Sequence, residues 1–120
     1  MKSLNDYKFY CCNGEPLYCF VYTDRVPNSH VMKRTIYDMD WNCHPEFMGR
    51  RAIAGPQIEK PSSFEKMKEM AEKLSSPVPF VRVDFYEING KPIFGEMTFT
   101  PGMQEASNSF LEMMGKKINL

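Results

Sequence analysis

The sequence predicts an α+β fold: a mostly antiparallel sheet carrying one main helix and a short C-terminal helix. Three observations predict it. Runs of β-forming residues flank an Asn-Gly pair twice, at Asn13-Gly14 and Asn89-Gly90, the strongest short-range hairpin signal. One stretch, 62–76, has the 3.6-residue period of an amphipathic helix. The order is three strands, a long loop, a helix, two strands and a tail helix, without the strand–helix alternation of a parallel sheet.

Each element has its own justification. Residues 7–13 and 17–23 are rich in Tyr, Phe, Cys and Val, and the turn between them makes them a hairpin. A second turn, 24–29, contains Pro27-Asn28 and leads into a third strand over 31–38 that includes Lys33 and Arg34. Residues 40–60 hold Pro45, Gly49, Gly55 and Pro56 without a sustained period. A connection of that length is commonly a lid or a binding loop. In the helix, Phe64, Met67, Ala71 and Leu74 fall on one face. Ser62 and Glu65 have the spacing of a capping box, and Pro77 and Pro79 end the helix. Strands over 80–87 and 92–99 form the last hairpin. A tail helix over 105–114 stops at Gly115. No internal repeat or low-complexity segment interrupts the chain, and 1–120 reads as a single domain.

Composition narrows the function classes. The 120 residues carry 15 Lys+Arg and 15 Asp+Glu, a formal net charge of zero. A dedicated nucleic-acid binder needs a basic surplus to release counterions, and a membrane-surface binder needs a polybasic patch. No apolar run approaches the roughly 20 residues of a membrane span. The first residues, MKSLND, lack the apolar core of a signal peptide. The expected location is cytoplasmic. The four cysteines form no C-x-x-C pair. A zinc site using Cys43 and His44 lacks a ligand pair at the usual spacing, so buried free thiols are expected. Cys11 and Cys12, adjacent on a strand, point to opposite faces.

The chemistry lies in the last hairpin. Arg82, Asp84 and Tyr86 alternate with Val81, Val83 and Phe85. On the next strand Glu96 and Thr98 share a face with Phe94, and Gly95 leaves room for a close approach. Whether Asp84 and Glu96 meet depends on register. A two-residue turn opposes Ile88 to Lys91 and puts Glu96 on the wrong side. A three-residue loop ending at Gly90 opposes Glu87 to Lys91, gains an ion pair there, and puts Arg82 opposite Glu96 with Asp84 diagonal to it. The second register is expected, because Gly90 suits the left-handed position of that loop and Glu87 and Lys91 gain the ion pair; both carboxylates then lie on one face beside Arg82. Two carboxylates so placed require a positive partner. Arg82 alone makes a salt-bridged sheet face. A magnesium ion, which commonly uses one or two carboxylates and completes its shell with phosphate oxygens, makes a site.

The residues Arg82-Val83-Asp84-Phe85, Asn89-Gly90 and Gly95-Glu96-Met97-Thr98-Phe99-Thr100-Pro101-Gly102 resemble the end of an ATP-grasp fold. Asp6-Tyr7-Lys8-Phe9-Tyr10-Cys11, Asn13-Gly14, Tyr37-Asp38-Met39-Asp40-Trp41-Asn42 and Ile58-Glu59-Lys60-Pro61 extend the resemblance to the TupA-like (teichuronopeptide-biosynthesis) ATP-grasp family over nearly the whole chain. The resemblance implies magnesium-dependent use of ATP to activate a carboxylate as an acyl phosphate, in cell-surface polysaccharide biosynthesis. It implies Asp84 and Glu96 as metal ligands. Thr98 stands where the general fold has a metal-binding Asn, and is the poorer ligand. Arg82 becomes the phosphate contact that stabilises charge in transfer. Lys33, Arg34 and Trp41 become candidates for contacts to the bound molecules, with 40–60 as a substrate-side loop. The chain contains no Gly-rich phosphate loop, so the resemblance is to the C-terminal subdomain, with the N-terminal subdomain missing. The expected partners are a nucleotide and either that missing subdomain or a second copy through the exposed sheet face.

Three functions compete at this point: an ATP-grasp ligase-like half-site that is incomplete alone, a non-catalytic interaction module or truncated remnant, and, more distantly, a glycosyltransferase. Asp38-Met39-Asp40 has the letters of a D-x-D motif but sits inside the run shared with the TupA-like family.

Overall fold

A computed structural model describes residues 5–23, 32–49, 53–76 and 78–99. They form a six-stranded sheet and one α-helix: β1 (Asp6–Cys12), β2 (Glu15–Thr23), β3 (Lys33–Asp38), β4 (Ile53–Ala54), α1 (Phe64–Ser75), β5 (Phe80–Ile88) and β6 (Lys91–Thr98). The sheet order is β4-β3-β2-β1-β5-β6. Every pairing is antiparallel except the short β3–β4 contact. The expected α+β class and mostly antiparallel sheet are therefore what the chain forms. The tail helix over 105–114, the turn over 24–29 and the start of the third strand at Val31 lie outside the described residues.

The two Asn-Gly pairs do what their chemistry favours. Asn13 and Gly14 have φ of 53° and 82°, and Asn89 and Gly90 have 53° and 74°. Two consecutive left-handed residues make the two-residue hairpin turn whose twist matches the strands. The second turn therefore corrects the expected register: Ile88, not Glu87, opposes Lys91. The Glu87–Lys91 ion pair does not form. The carboxylate of Glu87 instead accepts hydrogen bonds from the Ser63 N–H at 2.9 Å and the Ser63 hydroxyl at 2.6 Å. It caps α1 from across the fold, where a carboxylate is favoured by the helix dipole. This contact replaces the expected Ser62–Glu65 capping box; Glu65 pairs with Lys60 at 3.6 Å instead.

Both sheet faces are buried over much of their area. Phe9, Cys11, Val21, Val83 and Phe85 face α1 and pack on Phe64, Met67 and Ala71. The opposite face buries Tyr10, Cys12, Phe20 and Ile36, with Phe47 and Met48 packed against them. Cys11 and Cys12 thus enter different cores, and all four cysteines are free thiols. The helix departs from its expected face at one end. Ser75, not Leu74, is buried, and Leu74 is exposed. At ~100° per residue, position 74 lies ~80° off the direction of Phe64, whereas position 75 returns to it.

The 40–60 stretch is pinned rather than loose where it is described. Its chain forms a 3₁₀ turn, Pro45–Phe47. The Thr35 hydroxyl donates to the Pro56 carbonyl at 2.8 Å. The Trp41 indole N–H donates to the Ile58 carbonyl at 3.0 Å. Among the described residues no helix is long and apolar enough to cross a membrane.

Candidate functional site

The face opposite α1 carries an ionic cluster at its β5–β6 end. β1 lies between β2 and β5, so Lys8 sits directly across from Asp84. On the other side of β5, Asp84 sits directly across from Glu96, and Arg82 across from Thr98. Directly opposed residues project to the same face. Three strands therefore contribute one row, Lys8–Asp84–Glu96, and a second, Tyr10–Arg82–Thr98.

A bulge makes this possible. With Ile88 opposite Lys91, an uninterrupted ladder would oppose Asp84 to Gly95 and turn Glu96 away. The ladder slips by one residue between Asp84 and Phe85, leaving Gly95 as the extra residue. The inserted residue restores Glu96 and Thr98 to the face of Asp84 and sends Phe94 to the α1 face, where its ring meets Phe85 edge-on at 6.4 Å. Phe94 thus parts from Glu96, contrary to the simple alternation. A Cβ at Gly95 would stand 3.2 Å from both the Asp84 carbonyl oxygen and the Tyr86 ring, so glycine suits the bulge. The two carboxylates meet through a turn and a bulge rather than through a longer loop.

Asp84 is the hub. Arg82 grips it side-on, with Nε donating to Oδ1 at 2.9 Å and Nη2 to Oδ2 at 3.0 Å. The Lys8 ammonium donates to Oδ2 at 2.8 Å. These three bonds use three of the roughly four acceptor positions of a carboxylate. Only 3% of the Asp84 side chain is exposed, against 64% for Glu96. Arg82 Nη2 also lies 3.3 Å from Glu96 Oε1 and from the Thr98 hydroxyl oxygen. Asp6 completes the group, with Oδ2 3.0 Å from the Lys8 ammonium. Its other oxygen, Oδ1, is buried without a partner.

The charges follow from this packing. Burial disfavours the ammonium of Lys8, but the carboxylates of Asp84 and Asp6 outweigh it and hold the pKa above the usual lysine value. Burial pushes the Asp6 carboxyl upward, more than Lys8 pulls it down. An open cleft of about 260 Å³, lined by Asp6, Lys8, Asp84, Tyr86, Gly95 and Glu96, leads from solvent to the cluster.

Arg82, Asp84, Glu96 and Thr98 are therefore brought together. Strand alternation sends Lys33 to the face away from the group, and Arg34 is not among the residues that line the cleft. Arg34 lies on the cluster's face, two strands from the Lys8 strand, with its guanidinium 4.8 Å from the Tyr22 ring centre. The Lys8 ammonium approaches the same ring at 5.2 Å. Trp41 stacks on Tyr37 at 3.9 Å and meets Phe64 edge-on at 5.1 Å, packed on the α1 side and away from the cleft. Sequence reasoning missed Lys8 and Asp6 as members of the cluster. The available signal was a lysine inside a run of aromatic and thiol residues, since a buried ammonium requires a carboxylate partner.

The donor set defines what the cleft can hold. Among the described residues, no group of three or more His, Cys, Asp or Glu side chains could hold a metal ion. An all-protein cage of the kind calcium favours does not fit. A magnesium ion needs less: one or two carboxylates and the oxygens of a bound phosphate. Glu96, mostly in water and touched by one arginine nitrogen, and the remaining acceptor position of Asp84 fit that requirement. Lys8 and Arg82 supply the positive charge that phosphate recognition needs.

No curated protein and no solved structure matches the chain. A family model described as TupA-like ATPgrasp matches residues 1–119. The sheet and helix are consistent with part of an ATP-grasp fold. The chain belongs to the TupA-like ATP-grasp family.

Proposed function

We propose that the cleft between β1, β5 and β6 binds the phosphates of magnesium-bound ATP, in an ATP-grasp ligase-like protein of cell-surface polysaccharide biosynthesis that activates a carboxylate. The observation that carries this reading is the register that places Asp84 opposite Glu96 with Arg82 and Lys8 alongside. Five charged groups converge beside one open cleft, the cations of Lys8 and Arg82 and the carboxylates of Asp6, Asp84 and Glu96, and of the three carboxylates only Glu96 stands mostly in water. Bound magnesium supplies charge neutralisation at the phosphoryl group. Glu96 and Asp84 hold the ion. Arg82 and Lys8 face the phosphate oxygens, whose negative charge replaces part of what Asp84 now offers them. Thr98, bonded to Arg82, orients the guanidinium and contributes a ligand only secondarily.

A nucleotide in this cleft is contacted from one side of the sheet. Most small-molecule sites enclose the larger part of their ligand. Full catalysis therefore requires a second covering surface, from an N-terminal ATP-grasp subdomain or from another chain. The exposed Ile93 and Phe94 on β6 favour the second reading, an interaction module without catalysis.

Calorimetry with a non-hydrolysable ATP analogue and magnesium separates the two. Binding that requires magnesium and disappears in Glu96→Gln supports the nucleotide site. No heat at millimolar analogue, or binding that Glu96→Gln leaves intact, overturns it.

A further inference from the structure

The segment after β3 carries a second, separate constellation on the cleft side of the sheet. Asp38, the last residue of β3, accepts the backbone N–H groups of Asp40 and Asn42 on Oδ1, each at 2.9 Å. Its Oδ2 lies 2.8 Å from His44 Nε2. The other ring nitrogen, Nδ1, lies 2.8 Å from Glu46 Oε2. Both nitrogens thus face carboxylates, an arrangement only the doubly protonated imidazolium satisfies, because a neutral ring has one donor. Tyr18 meets the ring edge-on at 5.6 Å from β2, and Phe47 stacks on it at 5.4 Å. The phenol of Tyr18 is held neutral, first by burial and then by Asp38 and Glu46. The titratable groups facing His44 among the described residues are therefore two carboxylates and one neutral phenol.

What this clasp fastens is specific. The 3₁₀ turn Pro45–Phe47 follows directly, and Phe47 and Met48 pack on the Tyr10–Phe20–Ile36 core. Cys43, Pro45 and Met48 line a cavity of about 180 Å³ together with Ile36 and Ala54. Two backbone bonds tie the start of this strap to β3, from the His44 N–H to the Ile36 carbonyl at 2.8 Å and from the Asp38 N–H to the Asn42 carbonyl at 3.0 Å, and together they make the bridge between Tyr37 and Cys43; Met48, at its end, takes part in a further bridge.

We propose that residues 43–48 are a pH-responsive strap, clasped over this cavity when His44 is an imidazolium between Asp38 and Glu46, and loosened when His44 loses its proton. On deprotonation one ring nitrogen becomes an acceptor facing a carboxylate, and that contact turns repulsive. Asp38 is anchored by two backbone N–H groups, so Glu46 is the partner that leaves, taking the 3₁₀ turn with it. Burial acts against the charge on His44, but the two carboxylates outweigh it and raise the pKa above the usual 6.5. The sign follows: the clasp is complete below the unfolded-state pKa and is lost as pH rises through the higher folded-state value.

The test uses the full chain and two readouts, the His44 ring resonances and amide exchange at Phe47 and Met48. In wild type the ring titrates above pH 6.5. Exchange of the two amides, corrected for base catalysis, quickens by about tenfold across that midpoint. Glu46→Gln, on an exposed residue, moves the midpoint down toward the free-histidine value. His44→Gln exchanges fast at every pH. A wild-type midpoint at or below 6.5, or exchange indistinguishable between wild type and His44→Gln, overturns the proposal. If His44→Gln fails to fold, the Glu46→Gln midpoint decides: an unmoved midpoint overturns it.

Discussion

Asp84 is buried and Glu96 lies in water, although the two are directly opposed on neighbouring strands. The difference assigns them different work. Asp84 neutralises Lys8 and Arg82, two cations that are themselves nearly buried. Removing one partner of such a network leaves uncompensated buried charge, at a cost of about 3 kcal/mol or more. Glu96 has one long contact to Arg82, and an exposed ion pair contributes ~0–1 kcal/mol. Asp84→Ala is therefore expected to lower the urea midpoint strongly. Glu96→Gln is expected to leave stability within about 0.5 kcal/mol of wild type while abolishing magnesium-nucleotide binding. Equal destabilisation by the two substitutions would mean that the cluster is structural throughout.

At the scale of elements, the decisive device is the bulge in β6. A strand has a period of two, so one inserted residue exchanges its faces. Gly95 is that residue, and it returns Glu96 and Thr98 to the cleft side after the two-residue turn has set the opposite phase. Gly95→Val, whose Cβ would stand 3.2 Å from the Asp84 carbonyl oxygen and the Tyr86 ring, is expected to disfavour the bulge, let the ladder run on in the phase of the turn and leave a folded hairpin with Glu96 on the α1 side. Circular dichroism would remain native-like, and calorimetry would show no nucleotide binding. Binding retained in a folded Gly95→Val variant would show that the bulge does not position the carboxylate. The same β6 carries Pro92 and the bulge on the sheet's outer edge. Both devices discourage pairing with another strand, even though Ile93 and Phe94 are exposed.

Over the whole molecule, the sheet is thick with side chains on both faces, and three thiols lie inside it. Burial pushes the Cys11 thiol up to about 12 and raises Cys19 strongly as well. The thiolate is the reactive form, so neither reacts while the sheet is intact. Cys43, half-buried in the strap, is less protected. A thiol reagent is expected to label Cys43 first, with Cys11, Cys12 and Cys19 reacting only on global unfolding. Mass spectrometry of partially labelled protein checks the order. Early labelling of Cys19 would mean that the β1–β2 region opens locally.

Local chemistry alone determined much of this protein. The Asn-Gly turns, the alternation in 80–87, the helical face of Phe64, Met67 and Ala71 and the opposite destinations of Cys11 and Cys12 are short-range consequences of backbone geometry, and the structure keeps them. The convergence of Arg82, Asp84 and Glu96 was legible too, because any fold with those residues on one face needs them to neutralise one another. Its route was not. A bulge is a tertiary choice: it costs the hairpin a ladder position and is justified only by what the displaced side chains meet. The same holds for Lys8 and Asp6, which join the cluster because β1 docks between β2 and β5, some 76 residues from Asp84 along the chain, and for Glu87, which caps a helix it precedes nowhere in sequence. Short-range geometry fixed which residues could share a face. Only the packing of distant strands decided which charges would be buried together.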